Sequence, residues 1–151
     1  MMTIEEFIER DEGRRLEVYY CPSGAKTIGV GHNIDALGLP PGVKGHLTVN
    51  GAITDKMADY LLKEDIKIAE GDAKAIYRNF GRMNKARQMA LINFLFQLGY
   101  SKVQSFKRAN AAIEREDWME AARELLDSKW ARQTPDRARR IATIIEGGKL
   151  I

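Results

Sequence analysis

The chain has 151 residues, 44% of them hydrophobic and 30% charged, which suits one globular domain and excludes a disordered or low-complexity protein. Its single cysteine excludes an internal disulfide framework, and no apolar run approaches the ~20 residues of a membrane span. A formal net charge of +3 fits contact with an anionic polymer and equally fits an ordinary soluble surface. The opening, Met1–Phe7, has neither a basic segment nor an apolar signal core, so the chain is expected to fold in the cytosol.

The first element is a helix from Thr3 to Glu12. Thr3 and Glu6 stand at capping-box spacing, Ile4, Phe7 and Ile8 share one face, and Gly13 suits the residue that ends a helix. Glu12 then lies in the last turn, where the partial negative charge of the helix end and neighbouring Asp11 both disfavour its anion. That is the environment of a general acid working near neutral pH. Leu16–Tyr20 and Lys26–His32 read as two strands around a turn at Cys21-Pro22-Ser23-Gly24, a hairpin that brings Cys21 and Thr27 near each other. The run T-I-G-V-G-H alternates glycine with branched residues, which admits close approach by another chain or a ligand. Whether Cys21 and Thr27 also face Glu12 does not follow from spacing.

Asn33–Gly45, with G-L-P-P-G, reads as a loop, and His46–Val49 as a short edge strand before an Asn50-Gly51 turn. Thr54 caps a long helix whose buried face carries Leu62, Ile66, Ala69, Ala73 and Ile76. Gly71 weakens that helix by roughly 1 kcal/mol relative to alanine and is a candidate bend. Asn84 caps a helix running to Leu98 and stopped by Gly99, with Met89, Ile92, Asn93 and Phe96 facing inward. Shorter helices are expected near Gln104–Arg115 and Asp117–Leu126, with Trp118 and Trp130 as apolar anchors. Thr134-Pro135 supplies a cap and a first-turn proline for a last helix ending near Ile145.

Two distant histidines and one cysteine offer no metal set, and no phosphate-loop or dinucleotide fingerprint is present. No cofactor is expected. Arg137–Arg140, R-A-R-R, is the nearest thing to a nucleic-acid patch and reads more simply as a solvated helix face.

The segment Glu12–His32 resembles the catalytic region of the phage-type lysozymes, the endolysins of glycoside hydrolase family 24. Their pattern is Glu, eight residues, Asp or Cys, five residues, Thr, and Glu12, Cys21 and Thr27 stand at that spacing. Thr27, Ile28, Gly29, Gly31 and His32 match the family strand T-I-G-x-G-H. A-L-I-N-F-L-F-Q-L-G resembles the central helix, and S-K-W-x-x-Q-T-P-D-R-A-R-R the C-terminal signature.

The resemblance implies an α+β lysozyme-like fold in a single domain spanning residues 1–151. A small sheet lobe, about 14–53, and a larger helical lobe, about 80–151 plus helix 3–12, would be joined by the long helix, with the active site in the cleft between them. It implies peptidoglycan as substrate and hydrolysis of the β-1,4 bond between N-acetylmuramic acid and N-acetylglucosamine. Glu12 would be the acid, Thr27 the residue that orients water, and Cys21, at the position more often Asp, a base or weak nucleophile. Gly31, Asn33, Phe96, Gln97 and Trp130 would border the saccharide. His32 and Asp65 would pair as a structural link, and Arg137 would hold Glu12 by an ion pair.

A monomer in the host cytoplasm, released to the wall by a separate holin, completes that picture. Three other readings stay open at the level of sequence. One is lytic transglycosylation, giving anhydro sugars. Another is a wall-binding relative in which Cys21 has replaced a needed Asp. The third is a nucleic-acid binder resting on the basic charge alone.

Overall fold

A computed structural model describes all residues, 1–151. Helix α1 (Ile4–Glu12) begins with the expected capping box: Thr3 N–H donates to Glu6 at 2.9 Å and Glu6 N–H donates to Thr3 at 3.1 Å. Three antiparallel strands follow in sheet order β1 (Arg15–Tyr20), β2 (Lys26–Gly29) and β3 (His32–Asn33). Lys26–His32 is therefore not one strand. Gly29 and Gly31 both take positive φ, and the chain folds back tightly between them.

The stretch expected as a loop and an edge strand is helical. Helices α2 (Ile34–Leu37) and α3 (Pro41–Asn50) occupy it. Pro41 is pre-set for a first helical turn, and Gly51 closes α3 in the left-handed conformation with its N–H on Leu47 O, so it is a helix cap and not a hairpin turn. Tertiary packing outweighs the strand preference of His46–Val49. Val43 and Leu47, four residues apart, both reach the apolar cluster of Ile28, Ile53, Ala58 and Leu61.

Helix α4 (Asp55–Ile76) is capped by Thr54, which accepts from Met57 N–H at 3.1 Å. It runs unbroken through Gly71 for 22 residues, about 33 Å at ~1.5 Å per residue. Its expected inner face holds, with Leu62, Ile66, Ala69 and Ala73 buried and Ile76 half-buried. The chain divides into two units, Met1–Ile66 and Lys67–Ile151, so α4 begins in the first and ends in the second. Helix α1 falls in the first unit, where Arg14 ties it to α4: its guanidinium meets Glu9 of α1 at 2.9 Å and Asp55 and Asp59 of α4 at 3.2 and 2.5 Å.

In the second unit a short 3-10 turn (Phe80–Arg82) precedes α5 (Lys85–Leu98), capped by Asn84, which accepts from Arg87 N–H. Met89 to Leu95 are all buried, as befits a central helix; Phe96 is only half-buried. Then come α6 (Tyr100–Gln104), α7 (Lys107–Glu114), α8 (Trp118–Leu126), α9 (Lys129–Gln133) and α10 (Pro135–Gly147). Helix α8 packs on α7 and α10, and α10 packs on α5. Pro135 opens α10 as expected, but Thr134 does not cap it with its side chain; its hydroxyl donates to Trp130 O.

Arg87 fastens the far end of α10. Its Nε and Nη2 donate to the carbonyls of Ile145 and Glu146 at 2.7 and 2.9 Å, and its guanidinium lies 4.2 Å from the Trp118 ring centre. Arg87→Met keeps the stem and loses both bonds and the cation–ring contact. The expected cost is about 2 kcal/mol in chemical unfolding, from charged hydrogen bonds and a partly exposed cation–π pair, with no change in catalytic rate.

Candidate active site

The capped helix α1 carries Glu12 to its C-terminal end and delivers the carboxyl to the β2–β3 turn. The packing there is tight. A methyl group built on Gly31 would lie 2.6 Å from Glu12 Oε1 and 2.8 Å from its Cδ, and Gly31 has φ +63°. Glycine is required both by that backbone conformation and by the carboxyl resting against it. Glu12 and Gly31, separate candidates in the sequence, are thus one structural feature.

The sheet has two faces with different surroundings. Ile28 pairs with His32 and sits in the apolar cluster. On the other face Tyr19 lies opposite Thr27, and Thr27 opposite Asn33. Cys21, two residues beyond Tyr19, closes the hairpin: its N–H donates to Ala25 O at 3.0 Å, and its carbonyl accepts from Gly24 N–H at 2.7 Å. Cys21 Sγ is 3.0 Å from Ser23 Oγ. That hydroxyl is the main reason the thiol titrates below its ordinary range. Slight burial opposes it and backbone groups of Ala25 and Ser23 add to it; the Thr27 side chain is within reach of the thiol. The hairpin therefore does bring Cys21 and Thr27 together. Thr27 is buried and donates its hydroxyl proton to Ala25 O at 2.8 Å, which leaves its lone pairs as acceptors. Asn33 accepts from Ala36 N–H at 2.9 Å and so caps α2.

His32 is 4% exposed and pairs with Asp65 of α4, Nδ1 to Oδ2, at 2.7 Å; its Nε2 is 2.7 Å from Gly38 O. Acceptors on both ring nitrogens call for both to carry protons. Burial works against the imidazolium, but the Asp65 hydrogen bond, the Gly38 carbonyl and the Asp65 charge outweigh it, and the pKa is raised. The unfolded value is about 6.5. The contribution of this pair to stability is therefore complete below that value and is lost as pH rises through the higher folded value. Thermal midpoints measured across this range should fall with rising pH, and Asp65→Asn should flatten that component of the slope.

In the second unit, Gln97 Oε1 accepts from Trp130 Nε1 at 2.9 Å, while its amide nitrogen faces Thr134 Oγ1 at 3.5 Å. Trp130 is 5% exposed, with its ring against Phe94 and Phe106. Asn93, wholly buried, accepts from Arg137 Nε and Nη2 at 2.9 and 2.7 Å. The sequence singled out Arg137 and placed Asn93 on the inner stripe of α5, without linking them. It also passed over Tyr19, for which the available signal was its two-residue spacing from Cys21 on a strand. No cluster of three or more His, Cys, Asp or Glu side chains is placed to hold a metal, and no helix is long and apolar enough to cross a membrane.

The profile of the family described as phage lysozyme matches residues 9–143. The chain belongs to the phage lysozyme family. Its α+β architecture is the lysozyme-like one, and this lysozyme is a glycoside hydrolase acting on peptidoglycan. It is similar to probable T4-type lysozyme 1 of Dictyostelium discoideum, 32% identical over 98% of this chain and 96% of that protein. The pre-baseplate central spike protein Gp5 of Enterobacteria phage T4 is 35% identical over 99% of this lysozyme, which spans only 28% of that longer chain. The endolysin of Salmonella phage P22 is 33% identical over 62% of this chain and 59% of its own.

Proposed function

We propose that this lysozyme is an endolysin that hydrolyses the β-1,4 bond between N-acetylmuramic acid and N-acetylglucosamine and so lyses its bacterial host. The observation that carries this reading is the seating of the Glu12 carboxyl against Gly31, in the same unit as the adjoining Cys21 and Thr27 side chains. Glu12 protonates the departing glycosidic oxygen. Thr27, its own proton committed to Ala25 O, accepts a hydrogen bond from the attacking water and turns that water's lone pair toward the sugar. Cys21 takes part as its thiol ionises, supplying negative charge near the developing cation and helping to take up the water's proton, so the rate should rise with that ionisation.

Gly31, Asn33, Phe96, Gln97 and Trp130 are assigned to the saccharide side, with Trp130 acting through its bond to Gln97. Arg137 is held by Asn93, and the His32–Asp65 pair is assigned to stability and not to chemistry. The protein acts as a monomer, stays in the host cytoplasm until a separate holin opens the membrane, and needs no cofactor. The likeness to a pre-baseplate central spike protein over 99% of this chain favours a second setting for the same reaction, in a phage particle.

Clearing of outer-membrane-stripped bacteria, with release of fragments ending in reducing muramic acid, tests the bond assignment; fragments ending in reducing N-acetylglucosamine would overturn it. Cys21→Ser should retain a reduced rate by the water route. Complete loss would replace that route with a covalent or thiolate-specific one.

A further inference from the structure

Tyr19 stands on the Thr27 face of the sheet, and the reaction described above leaves it unused. In the strand register it lies directly opposite Thr27, and Thr27 lies opposite Asn33, so the three side chains form a row across the sheet on one side. Cys21 follows at the two-residue spacing that keeps a strand's side chains on one face. The opposite face is already committed, since Ile28 is in the apolar cluster and His32 is bonded to Asp65. The Tyr19 ring is half-buried, and the Arg15 guanidinium lies 4.8 Å from its centre, a cation–ring contact that fixes the ring's orientation. Its hydroxyl makes no hydrogen bond to another residue. A half-buried phenol held by a cation, with a free O–H and in line with Thr27 and Cys21, is placed to donate to something that the protein does not contain.

We infer that Tyr19 is a further substrate-orienting residue: its hydroxyl donates a hydrogen bond to the sugar held over Thr27 and Cys21, and Arg15 fixes the ring that carries it. The inference rests on the muramidase reading of the site. The phenol titrates above its ordinary range, first because it is buried and then because the Glu12 charge opposes a second anion; Arg15 works the other way and Cys21 adds a little. Two consequences support the assignment. The hydroxyl stays a proton donor throughout the range in which a general acid works. Its response to both Glu12 and Cys21 also puts the phenol on the side where the two reacting groups are found.

Tyr19→Phe keeps the ring and its Arg15 contact and removes only the hydroxyl. On soluble peptidoglycan fragments it should lower kcat/KM by about tenfold, the upper range for one neutral hydrogen bond, uniformly across pH and with an unchanged thermal midpoint. A readout without turnover is calorimetric binding of a peptidoglycan tetrasaccharide to Glu12→Gln, which adding Tyr19→Phe should weaken by several-fold. Wild-type kinetics and binding in the Phe variant would overturn the inference. So would a loss seen with Tyr19→Leu and fully restored by Phe, which would assign the effect to the ring. Failure of Glu12→Gln to bind the tetrasaccharide at all would overturn the muramidase reading, and this inference with it.

Discussion

Replacing Glu12 with glutamine should lower kcat by about 10³-fold, within the range that a positioned acid contributes, while the thermal midpoint stays at or slightly above the wild-type value. Glutamine keeps the shape that fits against Gly31 and cannot release a proton to the leaving oxygen. It also removes a negative charge from the C-terminal turn of α1, where the helix end is already partly negative, and that relief offsets what the amide gives up as a charge partner. Initial rates on soluble wall fragments, with thermal melts of the same samples, separate the two effects. A loss of rate that follows a loss of folding would point to Glu12 as a structural residue only.

The second large effect is expected from Gly31→Ala. The new methyl group would meet the end of a side chain, Glu12 Oε1 at 2.6 Å, and not backbone, so the carboxyl can yield. The fold then bears mainly the left-handed conformation at residue 31, about 1–2 kcal/mol for alanine. The chemistry bears the displacement. Moving the acid by the order of 1 Å from its working position costs about 10²-fold in rate. The variant should therefore stay folded and lose kcat much more than KM. Equal rates in the two proteins would mean that the carboxyl's seat against the turn is incidental.

What the sequence revealed is what local chemistry dictates. The box of Thr3 and Glu6, the cap at Asn84 and the proline of α10 are decided within four residues of chain, and each stands where the pattern put it. Helix α3 was hidden because His46–Val49 prefers strands locally. The competing signal, Val43 and Leu47 reaching one apolar cluster, depends on partners as distant as Leu61. The β2–β3 turn was hidden inside a run of branched residues that reads as continuous strand. At the site, the Glu, Cys and Thr spacing was legible through family resemblance, and the hairpin correctly joined Cys21 to Thr27. The Gly31 seat for Glu12 spans 19 residues of chain, and the Asn93–Arg137 bonds span 44, so neither leaves a local trace.

The most direct test is the chemistry of the cut itself. Peptidoglycan digested in water enriched in oxygen-18, with wild type and Glu12→Gln compared by mass spectrometry, reports both the attacking group and the acid. Wild type should leave one heavy oxygen at every new reducing muramic acid end, and the variant should give almost no new ends. Unlabelled anhydro-muramic ends would show attack by the sugar's own hydroxyl, and labelled ends formed at equal rates by both proteins would remove Glu12 from the reaction.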